Sequence, residues 1–469
     1  MTKAEKRNYF DSLAEQREQW RVKGAYYHRK LEEYLKFLVP AGSSVLEIGC
    51  GQGDLLAALQ PSNGLGIDIS PKMVEFARTK YPQLRFEVGD AENLTVQETF
   101  DFIVLVETVG YVDDIQLMLR ELHKVCKPES RIIVVYYNYL WEPLLKLAEV
   151  MGLRMKRSLQ HWLPLQDLEN LFFLNDFEVV KSRHHLLIPV HIPWFSGFFN
   201  KVVANLPFFW RLCLNEVLVA RPIQQRKRAE DVTCSVIIPC RNERGNIEQA
   251  VLRTPSMGLH TEIIFVEGHS ADGTLEECQR VRAAYAEKDI TVLRQEGKGK
   301  GDAVRKGFDQ ARGDVLMILD ADLTVPPEDL PKFFDSLVAG KGEFINGSRL
   351  VYQMERQAMR FINLLGNKFF SYAFSYLLEQ RIRDTLCGTK ALWREDYQKL
   401  CRGREYFGDF DPFGDFDLLF GAAKMNLRIV EIPIRYRNRV YGETQISRFR
   451  HALLLFRMTC VGLWKLKFI

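Results

Sequence analysis

Two sets of residues in this chain have the types and spacing to do chemistry. Asp320 and Asp322 stand one residue apart where an apolar run ends, in VLMILDADLTVPPEDL (315–330). Paired hard oxygens of this kind hold a divalent cation, Mg2+ or Mn2+, and such an ion neutralises a diphosphate as it leaves. In extended chain, residues i and i+2 project to the same side, so the two carboxylates are expected to share one site while Ala321 faces away. Just upstream, GKGKGDAVRKGFDQARGD (297–314) offers Lys298, Lys300 and glycine-rich backbone, a polyphosphate clamp. The second set comes much earlier, in VLEIGCGQG (45–53), where Glu47, Gly49, Gly51 and Gly53 mark a strand entering a tight turn. The next apolar run ends in Asp68, whose carboxylate can accept both hydroxyl hydrogens of a ribose. The third ends in Gly89-Asp90-Ala91, an acceptor and an amide suited to an adenine edge.

The elements that position these residues are short apolar runs alternating with helical patterns, the signature of parallel sheets with crossover helices. In the first half the strands are expected at 44–49, 64–69, 84–89, 100–106 and 131–137, with FEVVKSRHHLLIP and LCLNEVLVARP closing the sheet. In the second half they are expected at CSVIIPC, 262–268, 290–295, 314–322 and 343–349. Between them the charged, aperiodic IQQRKRAED (223–231) reads as a linker, giving an α/β chain with domains at 1–222 and 232–469. A length of 469 residues with 47% apolar and 26% charged residues suits two packed cores. A net charge of +4, with acids and bases interleaved, disfavours a nucleic-acid partner. Nine cysteines without a CxxC pair suit a reducing, cytoplasmic compartment rather than a zinc site or a disulfide framework.

The first half resembles class I S-adenosylmethionine-dependent methyltransferases, through E-x-G-x-G-x-G, the acid Asp68, the Gly89-Asp90 turn and the FDFIVL strand. The likeness implies a Rossmann-like sheet. It also implies that Gly49, Gly51 and Gly53 lie against the methionine moiety, that Asp68 holds the ribose and that Asp90 and Ala91 contact the adenine, with Glu47 opening the motif. Glu107 stands where such enzymes often contact substrate, and a solvated loop acid explains it equally well. No base for methyl transfer stands out. His28 and Tyr26-Tyr27 lie on an N-terminal helix that either covers the site or packs.

The second half, from about Cys234, resembles the GT-A fold of family 2 glycosyltransferases, through SVIIPCRNERGN, Glu267 in VEGHS and the Asp-x-Asp pair. NGSRL, RDTLCGTKAL and EIPIRYRNRVYGETQIS narrow the likeness to polyprenyl-phosphate glycosyltransferases such as dolichol-phosphate mannose synthase. It implies that Pro239, Arg241, Glu243 and Glu267 meet the nucleoside, with Lys300 on the phosphates. It further implies that Asp320 and Asp322 handle metal and diphosphate, that Arg349 and Arg439 face phosphate groups, and that Asp384 is a catalytic carboxylate beside the acceptor. A turn cap explains Asp384 as well. The sequence departs from the pattern at Gly268-His269, where relatives carry a second acid, at Gln445, where a basic residue is frequent, and at Thr324, a hydroxyl in place of a further metal ligand.

Together these features describe a bifunctional enzyme. A nucleotide-sugar donor, a polyprenyl-phosphate or glycan acceptor, S-adenosylmethionine and a divalent metal are its implied ligands. The alternative makes the N-terminal half a non-catalytic S-adenosylmethionine-binding or regulatory module. The start of the chain is polar, with no apolar leader, and no clean run reaches the ~18 residues a membrane span needs. HIPWFSGFFNKVVANLPFFW (191–210) is expected to pack as a lid or between domains. RFRHALLLFRMTCVGLWKLKFI (448–469), basic and aromatic, is expected to lie on the inner face of a membrane as a peripheral contact.

Overall fold

The computed structural model describes residues 2–157, 160–349, 361–407, 414–437, 439, 441–442 and 448–468, with backbone alone at 361–367, 415 and 448–454. The chain divides into two compact units, Met1–Gln224 with Lys467–Ile469, and Gln225–Leu466. Each is built on a seven-stranded sheet.

In the first unit the strands are β1 (Ser44–Ile48), β2 (Asn63–Asp68), β3 (Arg85–Val88), β4 (Phe100–Val106), β5 (Cys126–Tyr137), β6 (Phe177–His185) and β7 (Asn215–Pro222). They lie in the order β3-β2-β1-β4-β5-β7-β6, parallel from β3 to β5, with β7 antiparallel to both β5 and β6. Alternation sets the two faces. Val45, Val104, Ile133 and Val217 pack on one side against Leu31 and Leu35. Leu46, Ile103 and Ile132 pack on the other against Met118 and Leu122. The covering helices are α1 (Lys3–Lys23), α2 (Ala25–Leu38), α3 (Asp54–Leu59), α4 (Pro71–Lys80), α5 (Ile115–Val125) and α6 (Glu142–Val150). Caps fix their starts: Thr2 and Glu5 form a reciprocal capping box on α1, and Ser70 caps α4 with Pro71 in its first turn, directly after Asp68.

In the second unit the strands are β8 (Thr233–Cys240), β9 (His260–Glu267), β10 (Asp289–Arg294), β11 (Val315–Ile318), β12 (Phe344–Ser348), β13 (Lys390–Trp393) and β14 (Ile429–Pro433), ordered β10-β9-β8-β11-β13-β12-β14. The expectation of a parallel sheet needs correcting at β13. This four-residue strand, which the sequence pattern does not announce, runs antiparallel between β11 and β12. In both sheets the order reverses beside the first strand of the unit, and open α/β sheets hold ligands beyond the strand ends at such a point.

Two further expectations meet corrections. The strand expected over 314–322 stops at Ile318, because β13 pairs only with Val315–Met317. The 191–210 segment does not bury its aromatics as a lid: Trp194, Phe198 and Phe208 are exposed. In the C-terminal helix Arg448–Gly462, Leu455 and Met458 are buried and Gly462 sits against Leu377 and Phe420, while Phe456 and, just beyond the helix, Trp464 are exposed. Among the described residues no helix is long and apolar enough to cross a membrane. The expected linker is anchored at Arg226, which is paired to Glu343 (3.0 Å) and Asp396 (2.8 Å). Gln445 lies outside the described residues.

Candidate functional site

In the first unit a cleft, open at its mouth, lies beyond the carboxyl ends of β1, β2, β3 and β4. Gly49, Asp68, Asp90, Ala91 and Glu107 line it. Gly49 has φ 77°, and a Cβ there would fall on the Thr108 hydroxyl, so the turn leaves a cradle only while that position has no side chain. Asp68 accepts the Gly51 N–H (2.8 Å) and the Ser70 N–H (2.9 Å), so it holds the glycine turn and the start of α4 together at the rim. Burial raises its pKa against these two amides.

Glu47, Gly51 and Gly53 do not line the cleft. Gly53 backs onto the Phe86 ring and Gly51 onto the Arg17 guanidinium. Glu47 is 4% exposed, with one carboxylate oxygen unpartnered, and burial pushes its pKa up to about 8. The folded state therefore binds a proton that the unfolded chain releases near the ordinary carboxylate pKa, and stability falls as pH rises from there to about 8. Glu47→Gln, which keeps the shape and removes the titration, is expected to melt several degrees above wild type at pH 9 and alongside it at pH 5. Equal melting at both values would reject the assignment.

Helix α1 covers the cleft through Lys3, Lys6, Phe10, Leu13 and Arg17, one face at helical spacing. Lys3 donates to Asp90 and pairs with Glu92 (2.6 Å), while Lys6 donates to the Tyr111 carbonyl (2.6 Å). Asp11 accepts from Ser70 Oγ (2.5 Å), and Gln52 donates to the Ala14 carbonyl (2.7 Å). These α1 residues are functional candidates that sequence reading missed; their three- and four-residue spacing was the available signal. Of the two alternatives for Tyr26, Tyr27 and His28, packing fits Tyr27, which is buried in the core, and the cover comes from α1.

Glu107 is not a solvated loop acid. It pairs with Arg157 (2.6 Å) and accepts from Tyr27 (2.7 Å) and Tyr137, at φ 57°. Arg157 and the two phenols hold its carboxyl far below the usual range despite burial. Such a carboxylate orients its neighbours and is a poor base.

In the second unit Asp320 and Asp322 sit in a turn, closed by Leu323 N–H to Asp320 O (3.1 Å) with Leu323 at φ 51°. Each carboxylate has its own cation. Asp320 pairs with Lys300 (2.5 Å), at the start of the helix Lys300–Gln310. Asp322 pairs with Arg439 (2.7 Å) and accepts the Thr324 hydroxyl (2.8 Å). Arg439 reaches across to Glu243 as well (3.2 Å), tying the end of β8 to the turn after β11. Gly388 approaches so closely that a Cβ there would collide with Asp320 and the Lys300 ammonium. Behind them Lys390 is 0% exposed, donates to the Cys387 carbonyl, and helps Lys300 hold Asp320 below the ordinary carboxylate range. Lys390 is a second residue that sequence reading missed, because a lysine after a turn reads as solvated.

The remaining candidates divide. Pro239 is the penultimate residue of β8, and Arg241, exposed, follows the strand's end. Glu267 is buried and accepts the Ser270 N–H (2.5 Å), so it shapes its own loop. Asp384 and Arg349, expected to act separately on acceptor and phosphate, form a two-bonded pair with each other (2.7 and 2.8 Å). Asp384 is 2% exposed, and the Arg349 guanidinium keeps its pKa low.

Residues 46–134 match the family model described as a methyltransferase domain, and residues 235–401 match glycosyl transferase family 2. The chain joins these two domains. The glycosyltransferase domain is 32% identical over 218 residues to a dolichol-phosphate mannosyltransferase of Pyrococcus furiosus, covering 45% of this chain and 59% of the relative. It is 29% identical over 238 residues to an undecaprenyl-phosphate 4-deoxy-4-formamido-L-arabinose transferase of Pseudomonas paraeruginosa, covering 48% and 64%. The chain thus spans less than two thirds of either relative's length. The methyltransferase domain is similar to the solved S-adenosylmethionine-dependent methyltransferase of Thermotoga maritima, at 20% identity and a TM-score of 0.37, covering 47% of this chain and 99% of that one.

The glycosyltransferase domain's donor set fits a divalent cation in a restricted way. Among the described residues no cluster of three acids or other metal-ligating groups exists. Two carboxylates and the Thr324 hydroxyl are hard oxygens, and Mg2+ typically takes one or two carboxylates and completes its shell with substrate phosphates. The methyltransferase domain's cleft fits S-adenosylmethionine through the Gly49 cradle, two acids at the rim and the apolar walls of Ile67, Ile69 and Met73.

Proposed function

We propose that the chain is a two-site transferase: the second domain passes a sugar from a nucleotide-sugar to a polyprenyl-phosphate or glycan acceptor with inversion, and the first passes a methyl group from S-adenosylmethionine. The sugar-transfer reading is carried by the turn holding Asp320 and Asp322, each poised against its own cation. A bound Mg2+ or Mn2+ at the two carboxylates would neutralise the departing diphosphate. Lys300 and Arg439 would then be released to the donor phosphates, while Pro239, Arg241, Glu243 and Glu267 frame the nucleoside. Bond making and breaking belong to one displacement: an acceptor oxygen attacks the anomeric carbon as the bond to the nucleoside diphosphate breaks.

The tie between Asp384 and Arg349 supports a phosphate acceptor. Such an acceptor is ionised near neutral pH and needs no base, so Asp384 positions Arg349 instead. The reading places the enzyme on the cytoplasmic side of a membrane, where a polyprenyl phosphate would meet a nucleotide-sugar. Sugar transfer to a polyprenyl phosphate by the full chain, with Mn2+ or Mg2+ against chelator, tests this. Transfer undiminished by chelator would remove the metal from the reading.

A second reading, the methyltransferase domain as a binding or regulatory module, is favoured by the saturated state of Glu107. Calorimetry with S-adenosylmethionine should show binding by wild type, and about 10- to 100-fold weaker binding by Asp68→Ala, which loses charged hydrogen bonds at the ribose. Binding without methyl transfer to any lipid-linked or free glycan would favour the module. No heat at all from well-folded protein would reject methyl transfer and favour a degenerate module.

A further inference from the structure

Seven large apolar side chains are exposed within residues 139–153 and nine within 190–212, about half of the 31 exposed anywhere in the described chain. The two stretches lie side by side. Trp141 donates its indole N–H to the Leu212 carbonyl (2.8 Å), and Asn138 donates to the carbonyls of Arg211 (2.8 Å) and Cys213 (3.0 Å). A concentration of this kind on one surface marks an interaction site.

Its chemistry selects the occupant. From Val179 to Asn215 the sequence has no acid and carries Lys181, Arg183, Lys201 and Arg211, the last two exposed. The two acids of α6, Glu142 and Glu149, are paired with Lys146 (2.5 Å) and Arg154 (2.8 Å). An aromatic surface whose acids are paired and whose fringe is cationic complements anionic headgroups over apolar tails. The aromatics also protrude. Trp194 is 96% exposed at φ 63°, at the apex of a three-residue turn in which Phe195 N–H meets Pro193 O (2.7 Å). Phe208, after Pro207, is 72% exposed at φ 75°. Bulky residues at such positive φ are strained. Protruding rings suit insertion between lipids better than a complementary face against a second copy.

We infer that residues 139–153 and 190–212 form a bilayer-docking face, selective for anionic lipid, on the methyltransferase domain. Met155 and Arg157, which line its cleft, follow directly from the first stretch, so docking brings the cleft rim to the membrane surface. The methyl acceptor is then a lipid-borne molecule. That last step rests on the reading of the cleft as a methyl-donor site, and the docking does not.

Flotation of the full chain with phosphatidylcholine vesicles, with and without phosphatidylglycerol, tests the face. Wild type should float with the anionic vesicles and far less with the neutral ones. Trp194→Ser with Phe208→Ser should lower the partition about tenfold or more. Lys201→Glu with Arg211→Glu should abolish the preference for phosphatidylglycerol. Circular dichroism and S-adenosylmethionine calorimetry on the same variants report folding and the cleft, so loss of flotation with intact calorimetry isolates the face. Wild-type flotation by the Trp194 and Phe208 variant, or a dimer in sedimentation that this variant dissociates, would overturn the inference. Flotation that persists in a chain unable to bind S-adenosylmethionine would keep the face and remove the acceptor assignment.

Discussion

Asp322→Ala is expected to abolish sugar transfer, by about a hundredfold or more, while leaving S-adenosylmethionine binding unchanged. The loss comes from two directions. On the proposed reading, removing this carboxylate takes away one of the two acids that would hold a cation and one of the carboxylates that Arg439 bridges, so charge on the leaving diphosphate would meet a disorganised site. Asp320→Ala should act at least as strongly, because it leaves the Lys300 ammonium and the buried Lys390 without their carboxylate. A radiolabelled sugar-transfer assay beside calorimetry separates the two domains. Loss of both readouts in a protein with an unchanged melting profile would contradict two independent sites.

The second large effect concerns Asp384. If it orients Arg349, Asp384→Asn removes the charge that compensates a mostly buried guanidinium, and truncating one partner of a buried ion pair costs about 3–5 kcal/mol. Urea unfolding followed by a probe in the second domain should show this cost. Replacing both partners, Asp384→Asn with Arg349→Met, should recover a substantial part of it, since no charge is then left unpaired. The pH dependence has a definite sign. The folded-state pKa is depressed, so the carboxylate stabilises the fold above the unfolded pKa and that contribution disappears as pH falls through the folded value. The acid limb of stability should therefore be shallower in Asp384→Asn than in wild type. Unchanged stability with a large drop in kcat and loss of the acid limb in the rate profile would make Asp384 a general base instead.

Local patterns in the chain were enough to determine both α/β halves, because a strand buried on two faces and its following glycine turn are written within ten residues or so. Gly49, Asp68, Asp90, Asp320 and Asp322 were legible for the same reason: each follows a strand, and strand ends collect at a sheet's ligand edge. What the sequence alone could not determine depends on partners distant along the chain. Gly388 closing on Asp320, Arg439 bridging Glu243 and Asp322, and Lys3 meeting Asp90 join residues 68 to 196 positions apart. The pairing of Asp384 with Arg349 turned two expected contact residues into one buried ion pair, and the short β13 ended β11 before the aspartates. Exposure was decided at this level too. An aromatic segment reads the same whether it covers a core or faces outward, and only the packing of β6, β7 and α6 around it settled which, since burial is a property of the neighbours rather than of the segment.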